Sequence, residues 1–465
     1  MNAKLDKYIE KIRDKKILIQ GLGLNGGGVG TALFFLKTGI PVFITDLKSE
    51  IELEDSLKKL SGYKNVRYTL GCHKEEDFLN ADIVVKGPGV PPTNKFIRLA
   101  EDNGAVITSD MEIFFNIAPC DIFGITGSKG KSSTVSCVYS IFKSKSANSF
   151  LGGNITISPL SFYNELNKES LVILELSSWQ LRDLQGKDFK LKGAAITNLM
   201  RDHQNYYKNM TDYLNDKKII TNNQTSDNFL ILPYGDVFLN TENIETQADV
   251  YYYSKDCEDA SFFYDKNAAY KKNGNSREIL FDAAKISIPG EHTKSNILLA
   301  AGFCALAGIE RKFIERGIEN FRGAPFRMEF VGEIDGVKYI NDATATIPDA
   351  SAVAIRSFKE PIVWIAGGSD KNLDFSVIEE ISDIPKAILL LPGDGTQKMK
   401  KFIKNPNISE FSDLETLFST LKNIVKSGDV VLFSPGCTSF GLFQNEFHRG
   451  RVFNDLVKKM IDKTK

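Results

Sequence analysis

Short, uninterrupted apolar runs recur along the chain, with longer helix-like stretches between them. Ile17-Leu18-Ile19, Val42-Phe43-Ile44, Ile83-Val84-Val85, Ile122-Phe123, Leu171-Val172-Ile173-Leu174, Ala195-Ile196, Leu230-Ile231-Leu232, Ile362-Val363-Trp364-Ile365 and residues 388–391 and 430–433 each predict a buried strand. Strands that are apolar throughout and alternate with helices predict parallel sheets covered on both faces, an α/β fold. In such sheets ligands sit beyond the carboxyl ends of the strands, where the Gly-rich and polar motifs of this chain fall. The opening segment MNAKLDKYIEKIRDKK is charged and reads as a helix. Residues 296–321 form a second helical stretch, which gives way to FRGAPFRMEF. The polar, aromatic segment from Thr241 to Ser287 lacks clear periodicity and reads as β-rich decoration on a middle domain.

At 465 residues the chain is too long for one ordinary core and predicts two to four domains. One boundary is expected near residue 110, before the strand that feeds a glycine loop, and another near residue 323. The 58 Lys and Arg nearly cancel the 59 Asp and Glu, so no basic stripe points to nucleic acid or to an anionic membrane. Six scattered cysteines without a CxxC pair fit reduced thiols, not a disulfide frame or a zinc site. No apolar run reaches the roughly 18 residues that cross a bilayer, and the charged start is not a secretory signal. These features predict a soluble, cytoplasmic, multi-domain protein.

Three motifs carry chemistry. GLGLNGGGVG follows the strand KKILIQ, and Asp46 ends the next strand, PVFITD. Gly21, Gly23 and Gly26 fit GxGxxG, in which the backbone turns tightly against a diphosphate at a helix N-terminus while the acid holds a ribose hydroxyl. Taken alone the motif points to a nicotinamide dehydrogenase, but it does not say which nucleotide is bound. GITGSKGKSST repeats the strand, loop and helix arrangement and ends in Gly130-Lys131-Ser132. Backbone amides there cradle phosphate oxygens, Lys131 neutralises charge on the β and γ phosphates, and the Ser132 hydroxyl reaches Mg²⁺. The spacing is GxxGxxGK, with Ile125 where the usual loop has its first glycine. The third motif is polar: Glu175 closes LVILE, while Asn198, Asp202 and His203 follow AAIT. A carboxylate at a strand tip beside a phosphate loop is a natural magnesium ligand.

GxxGxxGK[ST], GGN, ELSS, a DH pair, GEH with a later Asn and a C-terminal Arg, in this order over nearly the whole chain, resemble the Mur ligase family. The N-terminal GLG segment, ELSSWQL, GGSDKNLDFS and SPGCTSF resemble the branch that adds D-glutamate to UDP-N-acetylmuramoyl-L-alanine. The resemblance implies three domains: a Rossmann-like one for the UDP precursor over residues 1–110, a central ATP-binding one over 111–323, and a Rossmann-like one for the amino acid over 324–465. It implies a ligase that uses ATP and Mg²⁺ and forms an amide through an acyl phosphate; the chain is expected to act as a monomer. Gly127, Ser128, Lys129, Gly130, Lys131, Ser132 and Ser133 are then expected at ATP, with Asn296 at the adenine and Arg327 and Asp342 beyond it. Gly21, Gly23, Leu24, Asn25, Gly26 and Asp46 are expected to hold the uridine diphosphate. Asn154, Ser177, Ser178 and Gln180 fall at the precursor's reacting end. Ser132, Glu175, His203 and a carbamylated Lys217 would hold magnesium, with Lys131, His203, Lys217 and Lys371 as the catalytic set. Thr346, Lys371 and Ser439 would grip glutamate.

Four positions depart from the family pattern. GEHTKSN has Thr293 where an asparagine is usual, Phe326 replaces a histidine before Arg327, Thr344 stands where a lysine is usual, and Glu446 precedes Phe447 where Phe is usual. The last two touch the amino-acid and γ-phosphate side, so a ligase adding L-glutamate or another amino acid is the alternative. Two readings from other classes explain less. An NAD-dependent oxidoreductase leaves the second glycine loop without a role. A non-catalytic nucleotide-gated protein leaves the set of Glu175, His203, Lys217 and Lys371 without one.

Overall fold

The first three apolar runs become Ile17–Gln20 (β1), Val42–Asp46 (β2) and Ile83–Lys86 (β4), joined by Val66–Leu70 (β3) and Val106–Thr108 (β5), in the computed structural model, which describes residues 2–464 apart from 25, 156, 202–206, 208, 275 and 440. The five strands are all parallel and lie in the order β3-β2-β1-β4-β5. Strand order reverses between β1 and β4, so their carboxyl ends, Gln20 and Lys86, open onto the crevice where doubly wound sheets take ligands. The charged opening segment is the helix Ala3–Ile12, as its pattern predicts.

A second sheet has nine strands: Ile122–Thr126 (β6), Ser149–Gly153 (β7), Leu171–Glu175 (β8), Gly193–Ile196 (β9), Phe229–Pro233 (β10), Asp249–Ser254 (β11), Phe262–Asp265 (β12), Ala268–Asn273 (β13) and Ser276–Asp282 (β14). Their order is β14-β13-β12-β11-β10-β9-β6-β8-β7. The segment expected as decoration supplies β11 to β14, and these continue the sheet itself. β11 and β12 join parallel and β13 and β14 antiparallel.

Glu329–Ile334 (β15), Val337–Asn341 (β16), Ile362–Ala366 (β17), Ala387–Leu390 (β18), Ile408–Glu410 (β19) and Val430–Phe433 (β20) build the third sheet, ordered β15-β16-β20-β17-β18-β19. β15 and β16 form a hairpin, and the remaining pairs are parallel. Trp364 is wholly buried in β17 and donates its indole N–H to the Ser434 carbonyl at 2.7 Å.

The chain divides into two compact units, residues 1–283 with 296–318, and residues 284–295 with 319–465. In the first unit one continuous core serves both sheets, with Ile17, Ile19 and Phe34 in the same cluster as Phe114, Leu160, Val172 and Ile196. Phe34 and Tyr163 meet edge to face across it at 4.9 Å between ring centres. All six cysteines are free thiols, and no described helix is long and apolar enough to cross a membrane.

Candidate active site

β6 runs into the glycine loop, and the helix Lys131–Lys145 leaves it, so the helix's first amides face the loop. Gly127 has φ +144°, and a Cβ there would lie 1.9 Å from Thr197 Oγ1; no other residue fits. The strand end after β9 supplies the loop's floor. Asn198 accepts from Ser128 N through its carbonyl (3.0 Å) and from Lys129 N through Oδ1 (2.9 Å), while Thr197 Oγ1 donates to the Lys129 carbonyl (2.6 Å). The Lys131 ammonium folds over the loop and donates to the carbonyls of Gly127 (2.8 Å) and Ser128 (3.1 Å). Ser132 and Ser133 lie half-buried on the first helical turn. Asn296 stands against the loop, its Oδ1 2.5 Å from where a Cβ on Gly130 would be.

Glu175 ends β8 and is 2% exposed. Gly153 comes so close that a Cβ on it would lie 2.1 Å from the Glu175 carbonyl oxygen. This approach lets Asn154 Nδ2 donate to Glu175 Oε1 at 2.8 Å, so the Asn154 carboxamide is turned toward the acid. Glu175 Oε2 and the Thr126 hydroxyl are buried without a hydrogen-bond partner among the described residues. An unmatched carboxylate oxygen at the end of β8, in register with Ile125 of the strand that feeds the glycine loop, is a donor that suits a hard cation such as Mg²⁺. Asp202 and His203 lie outside the described residues; among the described ones no three His, Cys, Asp or Glu side chains converge.

Lys217 is 1% exposed in the helix Met210–Lys218, whereas its neighbour Lys218 is exposed, so a solvated helix lysine is excluded at 217. Its ammonium reaches under the glycine loop to the Gly127 carbonyl at 2.9 Å and lies 4.3 Å from the Tyr213 ring centre. Ser177 and Gln180 form a reciprocal capping box at the start of the helix Ser178–Asp183, and Ser178 and Gln180 are each 4% exposed. That local bond orients the helix that follows Glu175.

In the first sheet Asp46 gives Oδ2 to the amides of Leu22 and Gly23, both at 2.9 Å, and Oδ1 to Lys48 N at 2.9 Å. The acid expected at a ribose hydroxyl therefore shapes the loop that carries Gly21, Gly23, Leu24 and Gly26. Asn25 lies outside the described residues.

In the second unit the loops after β16, β17 and β20 are joined. Ser369 and Thr438 exchange backbone hydrogen bonds at 3.0 Å, and Asp342 accepts from Ser434 Oγ at 2.8 Å and Met328 N at 3.2 Å. Burial pushes the Asp342 carboxyl up to about 6, against the pull of Ser434. Arg327 and Lys371 are exposed, Thr346 is half-buried and Ser439 is 4% exposed. Phe326 and Met328 take left-handed backbone angles on either side of Arg327, φ 61° and 49°. Thr344, where the family pattern has lysine, donates its hydroxyl to the Phe326 carbonyl at 2.9 Å.

Three family models match the chain in order: the MurD-like N-terminal domain over residues 15–109, the Mur ligase middle domain over 125–304, and the Mur ligase glutamate ligase domain over 326–437. The chain belongs to the Mur ligase family. Similar family members include UDP-N-acetylmuramoylalanine–D-glutamate ligases from Borreliella afzelii (strain PKo), 38% identical over 97% of this chain and 99% of that one, and from Roseiflexus sp. (strain RS-1), 33% identical over 96% and 99%. Among solved structures, UDP-N-acetylmuramate–alanine ligase from Thermotoga maritima shares the fold with a TM-score of 0.63 at 19% identity, covering 96% of this chain and 100% of that one. The MurF ligase from Thermotoga maritima in complex with ADP shares it with a TM-score of 0.53 at 17% identity, covering 82% and 95%.

Within this Mur ligase the first unit brings together Gly127 to Ser133, Lys217 and Asn296 around one loop, with Asn154 on Glu175 at the end of β8. Sequence reasoning missed Thr197, the floor residue that dictates Gly127, and Arg449. The latter is 1% exposed and donates to the carbonyls of Ala343 (2.6 Å) and Cys437 (3.1 Å), tying two loops of the third sheet together. A strand-end threonine and a helical arginine followed by Gly450 carry no local pattern that would single them out.

Proposed function

We propose that this Mur ligase joins UDP-N-acetylmuramoyl-L-alanine to D-glutamate with ATP, in the cytoplasmic assembly of the peptidoglycan precursor. The observation that carries the reading is the pairing of a glycine loop, fixed by Thr197 and Asn198, with a buried carboxylate oxygen on Glu175 that lacks a partner among the described residues. Relatives of that name, matched over almost their full length, support the substrates.

The chemistry follows from charge. A carboxylate is a poor acyl donor until its oxygen becomes a good leaving group. Transfer of the γ-phosphoryl from ATP to the alanine carboxylate forms an acyl phosphate and ADP. The free amine of glutamate then attacks the acyl carbon, phosphate departs and the nitrogen loses a proton. Lys131 and the loop amides stabilise the phosphoryl oxygens as charge develops on them. Magnesium, for which Glu175, Ser132 and His203 are the proposed ligands, supplies further neutralisation of those oxygens when bound. Lys217 is proposed to carry a carbamate, which replaces the ammonium's positive charge beside a cation site with an anion. Asn296 would meet the adenine, and Arg327 and Asp342 would hold ATP. Gly21, Gly23, Leu24, Asn25, Gly26 and Asp46 would shape the diphosphate site, with Ser177, Ser178 and Gln180 near the reacting end. Thr346, Lys371 and Ser439 would hold glutamate. The enzyme is proposed to act as a monomer without nucleic-acid or membrane partners.

The test is phosphate release with ATP, Mg²⁺ and UDP-N-acetylmuramoyl-L-alanine against a panel of D- and L-amino acids. D-glutamate is expected to give the highest kcat/KM. Faster turnover with L-glutamate or another amino acid would assign the changed positions Thr344 and Glu446 to a different amino-acid specificity. Absence of turnover with every amino acid would overturn the reading.

A further inference from the structure

Lys86 ends β4 in the crevice of the first sheet, in register with Gln20 of β1, yet its side chain is only 6% exposed. Its ammonium makes three contacts. It donates to the Val90 carbonyl at 2.9 Å, at the end of the Gly87-Pro88-Gly89 turn, and it meets both carboxylate oxygens of Asp183 at 2.7 Å. Asp183 is 5% exposed and is the last residue of the helix Ser178–Asp183, which begins three residues after Glu175. Asp110, held by Ser158 Oγ at 3.1 Å, places a second carboxylate close enough to feel the charge of Lys86. One ammonium thus joins a loop at the crevice of the first sheet to the helix that follows Glu175.

A buried ion pair of this kind is a poor source of stability, because removing both charges from water offsets most of their attraction. Its geometry is more informative. We propose that Lys86 and Asp183 are positioning residues that fix the span between the loops holding the precursor's diphosphate and the point where its carboxylate meets Glu175 and Lys131. This rests on the ligase reading above. Binding energy gathered at the nucleotide end speeds reaction at the far end only if the two sites are held at a set distance. A misplacement of about 1 Å at the reacting atoms is enough to lower the rate by roughly 100-fold.

The experiment compares wild type, Lys86→Met, Lys86→Arg and the charge-free double variant Lys86→Met/Asp183→Met on two acceptors, UDP-N-acetylmuramoyl-L-alanine and N-acetylmuramoyl-L-alanine lacking UDP. Lys86→Met is expected to lower kcat on the UDP-linked acceptor roughly 100-fold, toward the wild-type value on the truncated one. On the truncated acceptor the two proteins should agree within about 2-fold, and KM for ATP should not move. Lys86→Arg should recover part of the loss. The double variant, which leaves no unpaired buried charge, should fold and show the same split. An equal fall on both acceptors would reduce the pair to a structural role, and an unchanged kcat in a folded double variant would overturn the proposal. A wild-type protein inactive on the UDP-linked acceptor would instead overturn the ligase reading on which it rests.

Discussion

Asn154 and Glu175 meet through one hydrogen bond, Nδ2 to Oε1 at 2.8 Å, and the other carboxylate oxygen is left buried and unmatched among the described residues. Glu175 is a proposed magnesium ligand, and a partner that orients such a ligand tunes affinity without touching the metal. Asn154→Ala is expected to raise the Mg²⁺ concentration for half-maximal activity by about 10-fold or more. Titrating Mg²⁺ against phosphate release checks it, and an unchanged midpoint would detach Asn154 from the metal.

The loop tolerates no side chain at Gly127, where φ is +144° and Thr197 Oγ1 occupies the place of a Cβ. Gly127→Ala is expected to abolish ATP-dependent thermal protection and to lower turnover by about 100-fold or more. The double variant Gly127→Ala/Thr197→Ala removes the clash but leaves the backbone strain, so it should recover only part of the activity.

Lys217 and Lys218 are adjacent in sequence and opposite in environment, one buried under the glycine loop and the other in solvent. Lys217→Ala should nearly silence turnover, while Lys218→Ala should leave it within about 2-fold. Carbon NMR in ¹³C-bicarbonate should show a carbamate signal that Lys217→Ala removes. Wild-type spectra lacking that signal at saturating bicarbonate would count against the modification.

Lys371 and Arg449 separate binding from scaffolding in the second unit. Lys371 is exposed, so Lys371→Ala should raise KM for the amino acid with no change in melting temperature. Arg449→Met leaves the Ala343 and Cys437 carbonyls without their donor and should lower both stability and amino-acid affinity. An effect of Lys371→Ala confined to ATP would move that lysine to the nucleotide.

Burial lifts the Asp110 carboxyl to about 6, above the ordinary 3.8, despite the opposing bond from Ser158 and the charge of Lys86. The folded state therefore holds this proton more tightly than the unfolded chain. The resulting stability is complete below about pH 4 and is lost as pH rises through about 6. Asp110→Asn removes the titration, so its advantage over wild type should grow across that window to at most about 3 kcal/mol. Urea denaturation at pH 4, 6 and 7.5 measures it, and a constant difference would refute the assignment.

The chain's apolar runs determined ten interior strands, β1, β2, β4, β6, β8, β9, β10, β17, β18 and β20, because a strand buried on both faces must be apolar at every position, whereas the interior strands β11, β12, β13 and β16 are mixed in polarity and gave no such run. The six sheet edges, β3, β5, β7, β14, β15 and β19, carried no such signal. Each borders its sheet on one side only, and β19 is exposed along its whole length. Glycine spacing likewise marked the two tight loops after β1 and β6, since Gly21, Gly23, Gly26, Gly127 and Gly130 all take positive φ, which favours glycine and so writes itself into local sequence. Tertiary structure alone decided that Asp46, at the end of β2, holds the amides of the glycine loop after β1, that Lys217 is buried while Lys218 is not, and that Lys86 finds Asp183 across 97 positions of chain. Those pairings depend on which segments the folded core brings together, and no short window of sequence records that.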